Sequence, residues 1–187
     1  MNVLGIDSAS SSVALCAILN ERSVVGKYLL GKPYSPQNPI DAYNGVHMFL
    51  SGLSARIEFA FLEQPVMGFG RTGNVQSTIK QSMVSGAIQV ALAEWDVHTL
   101  LISNTTWKKE IGVGGNASKI TIRKWLHLHH PSLYALCTLD QDRIDASCIA
   151  LYGCAFISEK HRLVASKPMP HARPSSLLHA PHLHGRV

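Results

Sequence analysis

The sequence predicts an α/β protein: a five-stranded mixed sheet flanked by helices. Three observations carry this expectation. Short runs rich in Val, Ile, Leu, Phe and Ala recur at strand length near residues 2–7, 11–19, 22–30, 56–62 and 97–103. Stretches with helical spacing separate the later runs, at residues 41–53 and 74–94. Helical stretches then follow the last strand to the end of the body. Three strands, a helix, a strand, a helix, a strand and further helices make a mixed sheet between helical layers.

In order, "NVLGID" (residues 2–7) reads as a buried strand ending on an acid. "SSVALCAIL" and "RSVVGKYLL" are separated only by the turn Asn20-Glu21, which makes them antiparallel neighbours. "GKPYSPQNP" carries three prolines and reads as a loop. Residues 41–53 form a helix, and "RIEFAFL" (56–62) the fourth strand. In residues 74–94 the apolar Ile79, Met83, Ala87, Val90 and Ala91 fall at helical spacing, with Asn74 as N-cap, and the small Ser82, Ser85, Gly86 and Ala87 permit close packing against a partner or on the sheet. "VHTLLIS" is the fifth strand, and Asn104 is placed to cap a short helix reaching Glu110. "GVGGNASK" turns into a helix over 117–130, stopped by Pro131. A last helix runs from near Asp140 to about Glu159, with Ile144, Cys148, Leu151 and Ala155 as its stripe and Asp145 at the stripe's edge. Residues 1–159 are thus the folded body. Residues 160–187 hold five bases, no acid and four of the nine prolines, which reads as a disordered basic tail.

No stretch has the roughly 18 consecutive apolar residues of a membrane span. The first residues lack the basic region and apolar run of a secretory signal, so the expected location is the cytoplasm. Cys16, Cys137, Cys148 and Cys154 form no C-x-x-C pair and read as reduced, buried thiols. The net charge of +5 lies in the tail, because residues 1–159 hold 12 bases and 12 acids. Within the body, residues 64–139 carry seven bases against three acids, a cluster able to follow a phosphate backbone or simply to face solvent.

"FLEQPVMGFGRTGNV" (residues 61–75) contains Gly68, Gly70 and Gly73 in the G-x-G-x-x-G pattern of dinucleotide-binding loops. In such loops the glycines follow the strand directly. Here Glu63-Gln64-Pro65-Val66-Met67 intervene, so the glycines are read as giving a surface loop its freedom and Glu63 is the residue of interest.

Asp7 and Glu63 end strands whose C-terminal ends lie on one sheet edge, where α/β sites form. Asp142 and Asp145, three apart, share a face at the start of the last helix. Each acid alone has a structural explanation, as a turn cap, a rim residue or a complement to the helix dipole. Together they form an oxygen-ligand cluster whose mutual repulsion calls for cations. Mg²⁺ suits such donors, and a pair of ions about 3.5–4 Å apart serves phosphodiester cleavage.

Gly5-Ile6-Asp7, Glu63-Gln64 and Asp142-Arg143-Ile144-Asp145-Ala146, in this order and spacing, resemble the RuvC-type Holliday-junction resolvases of the ribonuclease H-like superfamily. The resemblance covers residues 1–158 or so. It implies a ribonuclease H-like fold and a homodimer that cuts four-way junctions and other branched DNA. It also implies two Mg²⁺ ions, replaceable by Mn²⁺, on Asp7, Glu63, Asp142 and Asp145, which are then both metal-binding and catalytic. Lys108 and Lys109, followed by Gly112, Gly114 and Lys119, resemble the family's DNA-facing basic stretch. Arg71 and Phe69 lie in the loop resembling the junction-probing loop. Val66 stands where the family has an aromatic, and Phe69 is the candidate replacement. Short variants of this kind are similar to phage-encoded resolvases, placing the protein in a bacterial or phage-infected cytoplasm. Asp140, Asp96 and Glu58 fall outside these motifs.

Two other classes share features. "LGIDSASSSVAL" also resembles the first phosphate-binding hairpin of sugar-kinase, actin and Hsp70-like ATPases, and of scaffold proteins in carbamoyl-transfer complexes. Asp142-x-x-Asp145 discriminates, since that group does not require it. A nucleic-acid-binding module without catalysis would need the bases and not the acids.

Overall fold

The computed structural model describes residues 1–20, 22–32, 35–65 and 75–165. The glycine loop with Phe69, Arg71 and Val66, the cap Asn74 and residues 166–187 of the expected tail lie outside the described residues.

Strands β1 (Asn2–Ser8), β2 (Ser12–Leu19), β3 (Arg22–Leu29), β4 (Phe59–Glu63) and β5 (His98–Ile102) form one sheet in the order β3-β2-β1-β4-β5. The first three pair antiparallel, and β1–β4 and β4–β5 pair parallel. This is the expected five-stranded mixed sheet. The parallel pairing brings the C-terminal ends of β1 and β4 together, with Ile6 opposite Leu62 one residue before Asp7 and Glu63.

Strand alternation divides the core between two faces. Leu4, Ile6, Ala60 and Leu62 pack under α1 (Asn38–Ser51) and α2 (Val75–Glu94). Val3, Ala14, Cys16 and Phe61 face α6 (Gln141–Ala165), beside α3 (Asn104–Glu110), α4 (Lys119–His129) and α5 (Pro131–Leu136). The four cysteines are free, and all but Cys154 are buried.

Helix α6 lies directly on β1 because the contact is built from small residues. A Cβ on Gly5 would come 2.3 Å from both Ala146 O and Ala150 N. One on Gly153 would come 2.4 Å from the Phe61 ring. Only glycine permits this approach.

Several elements differ from expectation. In α2 the side facing the sheet is Val84, Ser85, Ile88, Ala91 and Leu92. Ile79, Met83 and Val90, which share the helical spacing, are each more than half exposed. The helix is apolar on two sides, and its own spacing does not say which one the sheet covers. In α6 Ala155 is exposed, while Ala146, Ser147, Ile149 and Ala150 are buried beside Ile144 and Cys148. That helix also runs on to Ala165, past the expected end near Glu159. Helix α1 starts at Asn38, inside the proline-rich loop, because Pro39 suits a first turn that needs no N–H donor. Pro131 likewise both follows α4 and opens α5, which the sequence reading missed. The cap of α3 is Ser103, whose hydroxyl accepts from Thr106 N at 3.2 Å. Asn104 is thereby left for another role.

Candidate active site

On β1 and β4, Asp7 and Glu63 share the parity of Val3 and Phe61, so both project on the α6 side of the sheet. On β2 and β3, Ser12 shares the parity of Ala14, and Lys27 is the register partner of Ala14. Four polar side chains from four strands therefore meet the N-terminal turn of α6, which supplies Asp142 and Asp145. The direct packing of α6 on Gly5 sets that meeting.

The electrostatics link the acids to one another through Asp7. The Asp7 carboxyl is pushed well above the usual range, first by burial and then by Glu63, Asp145 and Asp142, with Lys119 opposing. Asp145 is pushed up to about 6, first by burial. Glu63 adds to that rise, while the hydrogen bond from Gln141 and the charges of Lys108 and Lys119 work against it. The other three expected acids thus all act on Asp7, and two of the expected DNA-facing lysines, Lys108 and Lys119, act on Asp145.

Neutral donors hold two of these carboxylates. Asn104 Nδ2 donates to Glu63 Oε1 at 2.7 Å, and Trp107 Nε1 donates to Glu63 Oε2 at 2.9 Å. Trp107 is fully buried, and the Lys108 ammonium lies over its ring, 5.4 Å from the centroid. Gln141 Nε2 donates to Asp145 Oδ1 at 2.8 Å. The sequence reading missed Asn104, Trp107 and Gln141. Asn104 and Trp107 are three apart on α3 and so share a face, but nothing in the sequence says that this face meets Glu63.

Asp142 is engaged differently. Its Oδ2 accepts from Lys27 Nζ at 2.7 Å and from Ser12 Oγ at 3.0 Å. Lys27 Nζ also donates to Asp140 Oδ2 at 2.8 Å. Burial works against the Lys27 ammonium, but its bonds to Asp140 and Asp142 outweigh this and raise its pKa. Asp140, outside the expected motif, also accepts from Arg143 N at 3.1 Å through its Oδ1 and so caps α6.

Between α3 and α4 the chain turns through Gly112 and Gly114, both near φ +90°, a conformation that favours glycine. On either side of this turn, Lys108 and Lys119 both act on Asp145. Lys109 is exposed. Arg123, one of the bases in the expected cluster, is committed to Leu139 O and Gln141 Oε1.

The donor set fits a hard divalent cation: it is all oxygen, half-buried and short of positive charge around Asp7. Among the described residues, no three Asp, Glu, His or Cys side chains converge closely enough to hold one ion. Each of Glu63, Asp142 and Asp145 is turned to donors of its own. Among the described residues, no helix is long and apolar enough to cross a membrane.

No protein-family model matches the chain, and no curated protein does. Solved structures do. Thermus thermophilus RuvC superposes with a TM-score of 0.59 at 18% identity, covering 86% of this chain and 97% of that one. T. thermophilus RuvC in complex with a Holliday junction substrate gives 0.62 at 17%, covering 85% and 96%. The yeast mitochondrial Holliday junction resolvase gives 0.55 at 12%, covering 87% and 82%. The chain has a RuvC-like, ribonuclease H-like fold.

Proposed function

We propose that this protein is a divalent-metal-dependent, structure-selective endonuclease that resolves Holliday junctions and other branched DNA by phosphodiester hydrolysis. The observation that carries the reading is Asp7, at a sheet edge within the field of three further carboxylates and of Lys119, in a RuvC-like fold. Asp7, Glu63, Asp142 and Asp145 would hold two Mg²⁺ ions, or Mn²⁺ in their place. The chemistry these ions would supply is a lowered pKa for an attacking water and neutralisation of the departing 3′ oxygen. The chain's own work is to aim the carboxylates. Asn104 and Trp107 fix both oxygens of Glu63, and α6 delivers the two aspartates. Lys108 and Lys119 bring a DNA phosphate to these acids against their repulsion. The ATPase-like alternative does not require the second pair of acids, which here lies at the site.

A labelled four-way junction incubated with and without Mg²⁺ tests the reading. Cleavage near the branch only with Mg²⁺ or Mn²⁺ is expected. ATP turnover with no cutting of any branched DNA would favour the alternative.

The lysines yield a separate prediction. Lys108→Ala, Lys109→Ala and Lys119→Ala should each weaken junction binding and lower the salt slope by about one. Binding isotherms at several salt concentrations measure this. Unchanged slopes in all three would displace the DNA surface from the α3–α4 turn.

Assembly follows from the outer side of α2. Ile79, Met83 and Val90 are exposed there, with Ser82 exposed and open space over Gly86. Ser85, one of the small residues expected at a partner contact, is buried against the sheet instead. We infer that this face pairs two copies, which gives two sites related by a two-fold axis for the two cuts a junction needs. Light scattering at micromolar concentration should give a dimer mass, and Met83→Asp a single-chain mass. A single-chain mass for the native chain, with cleavage retained, would overturn the pairing.

A further inference from the structure

Lys27 lies on β3, an edge strand, and takes no part in the motifs that carry the resemblance. Its position is nonetheless determined by the sheet. Paired with Ala14, it projects toward α6 and reaches both acids at that helix's start. The contrast with the other carboxylates is the informative feature. Glu63 and Asp145 receive hydrogen bonds from uncharged donors, which leave their negative charge in place. Asp142 arrives at the site with an ammonium already on its Oδ2 and a hydroxyl beside it.

A carboxylate oxygen already bonded to an ammonium is a poorer cation ligand, because an incoming ion must separate the pair or share its charge. We propose that Lys27 is a positioning residue that holds Asp142 back, so that the site takes its two divalent ions unequally. The first binds by drawing together Asp7, Glu63 and Asp145, which do not converge in the metal-free chain. The second competes with Lys27 for Asp142. Asp140 makes the exchange feasible. At 2.8 Å from the same ammonium, it keeps Lys27 paired when Asp142 is released. This gives a role to an acid that the resemblance leaves out. The inference rests on the metal-dependent reading above.

The test is a calorimetric titration of the full chain with Mn²⁺, without DNA, at neutral pH and fixed ionic strength. Thermal melts of every variant accompany it. The native chain should show two binding events. In Lys27→Met the second should tighten by about tenfold, while the first moves less than about threefold. Lys27→Arg keeps the charge and should retain the native separation. Asp142→Asn should lose the second event and keep the first. If Lys27→Met does not fold, Lys27→Gln, which keeps a donor without the charge, carries the same expectation. A second event unmoved or weakened in the neutral variants would overturn the role of Lys27 and leave the metal reading standing. No bound ion in the native chain would overturn both.

Discussion

Asp7→Asn should lower junction cleavage by roughly 10³-fold or more while junction binding survives or tightens. The substitution keeps the side chain's shape and removes one charge from the centre of the group. Metal binding should fail with it, since Asp7 is the residue on which Glu63, Asp145 and Asp142 all act. DNA binding gains for the same reason, because phosphates then face one fewer uncompensated carboxylate. A second expectation separates this from simple damage. Burial and three like charges oppose ionisation of Asp7, so at neutral pH its charge works against folding of the metal-free chain. Asn relieves that repulsion, and the thermal midpoint should rise, by about 2–4 °C per kcal/mol gained for a chain of this size. Glu58→Gln and Asp96→Asn serve as controls. Glu58 bonds Asn2 N at the exposed start of β1, and Asp96 pairs with Arg56. Both variants should cut normally. Nicking, binding and melting measured side by side decide the matter, and a fully active Asp7→Asn enzyme would falsify the assignment.

Gly5→Ala, a change of one methyl group with no chemistry of its own, should be nearly as damaging. The new Cβ would meet the backbone of α6, at Ala146 O and Ala150 N, and neither atom can rotate away. The helix must lift from β1, at a cost of about 3 kcal/mol, the upper end of overpacking penalties. The midpoint should therefore fall by roughly 6–12 °C. Because α6 carries Asp142 and Asp145, its displacement also moves two of the four acids away from Asp7. Metal affinity and cleavage should drop even at temperatures where the protein stays folded. Thermal melts with a parallel Mn²⁺ titration measure both effects. A variant melting within about 2 °C of the native chain would mean that α6 does not depend on this contact.

The sequence by itself determined the sheet and the strand ends at which Asp7 and Glu63 lie. Alternation in "NVLGID" and "FAFLE" sets which side chains share a face, and the short turn at Asn20 makes the first strands antiparallel. The order of strands and helices then brings Asp7 and Glu63 to one edge. These are local properties, carried by period, turn chemistry and connection length. What tertiary structure decided were choices between locally equivalent options. Helix α2 has apolar residues on two sides, and only the presence of the sheet selects Val84, Ile88 and Ala91 over Ile79, Met83 and Val90. Asn104 and Ser103 are both good helix caps. Ser103 takes the cap, and Asn104 turns to Glu63, a partner 41 residues away. Lys27 looks like one more charge on an edge strand until α6, more than a hundred residues later, sets Asp140 and Asp142 against it. Spacing along the chain reveals which residues share a face, but the partner that face meets is fixed only when distant segments pack. For the donors around the acids, that partner is α6 or β4.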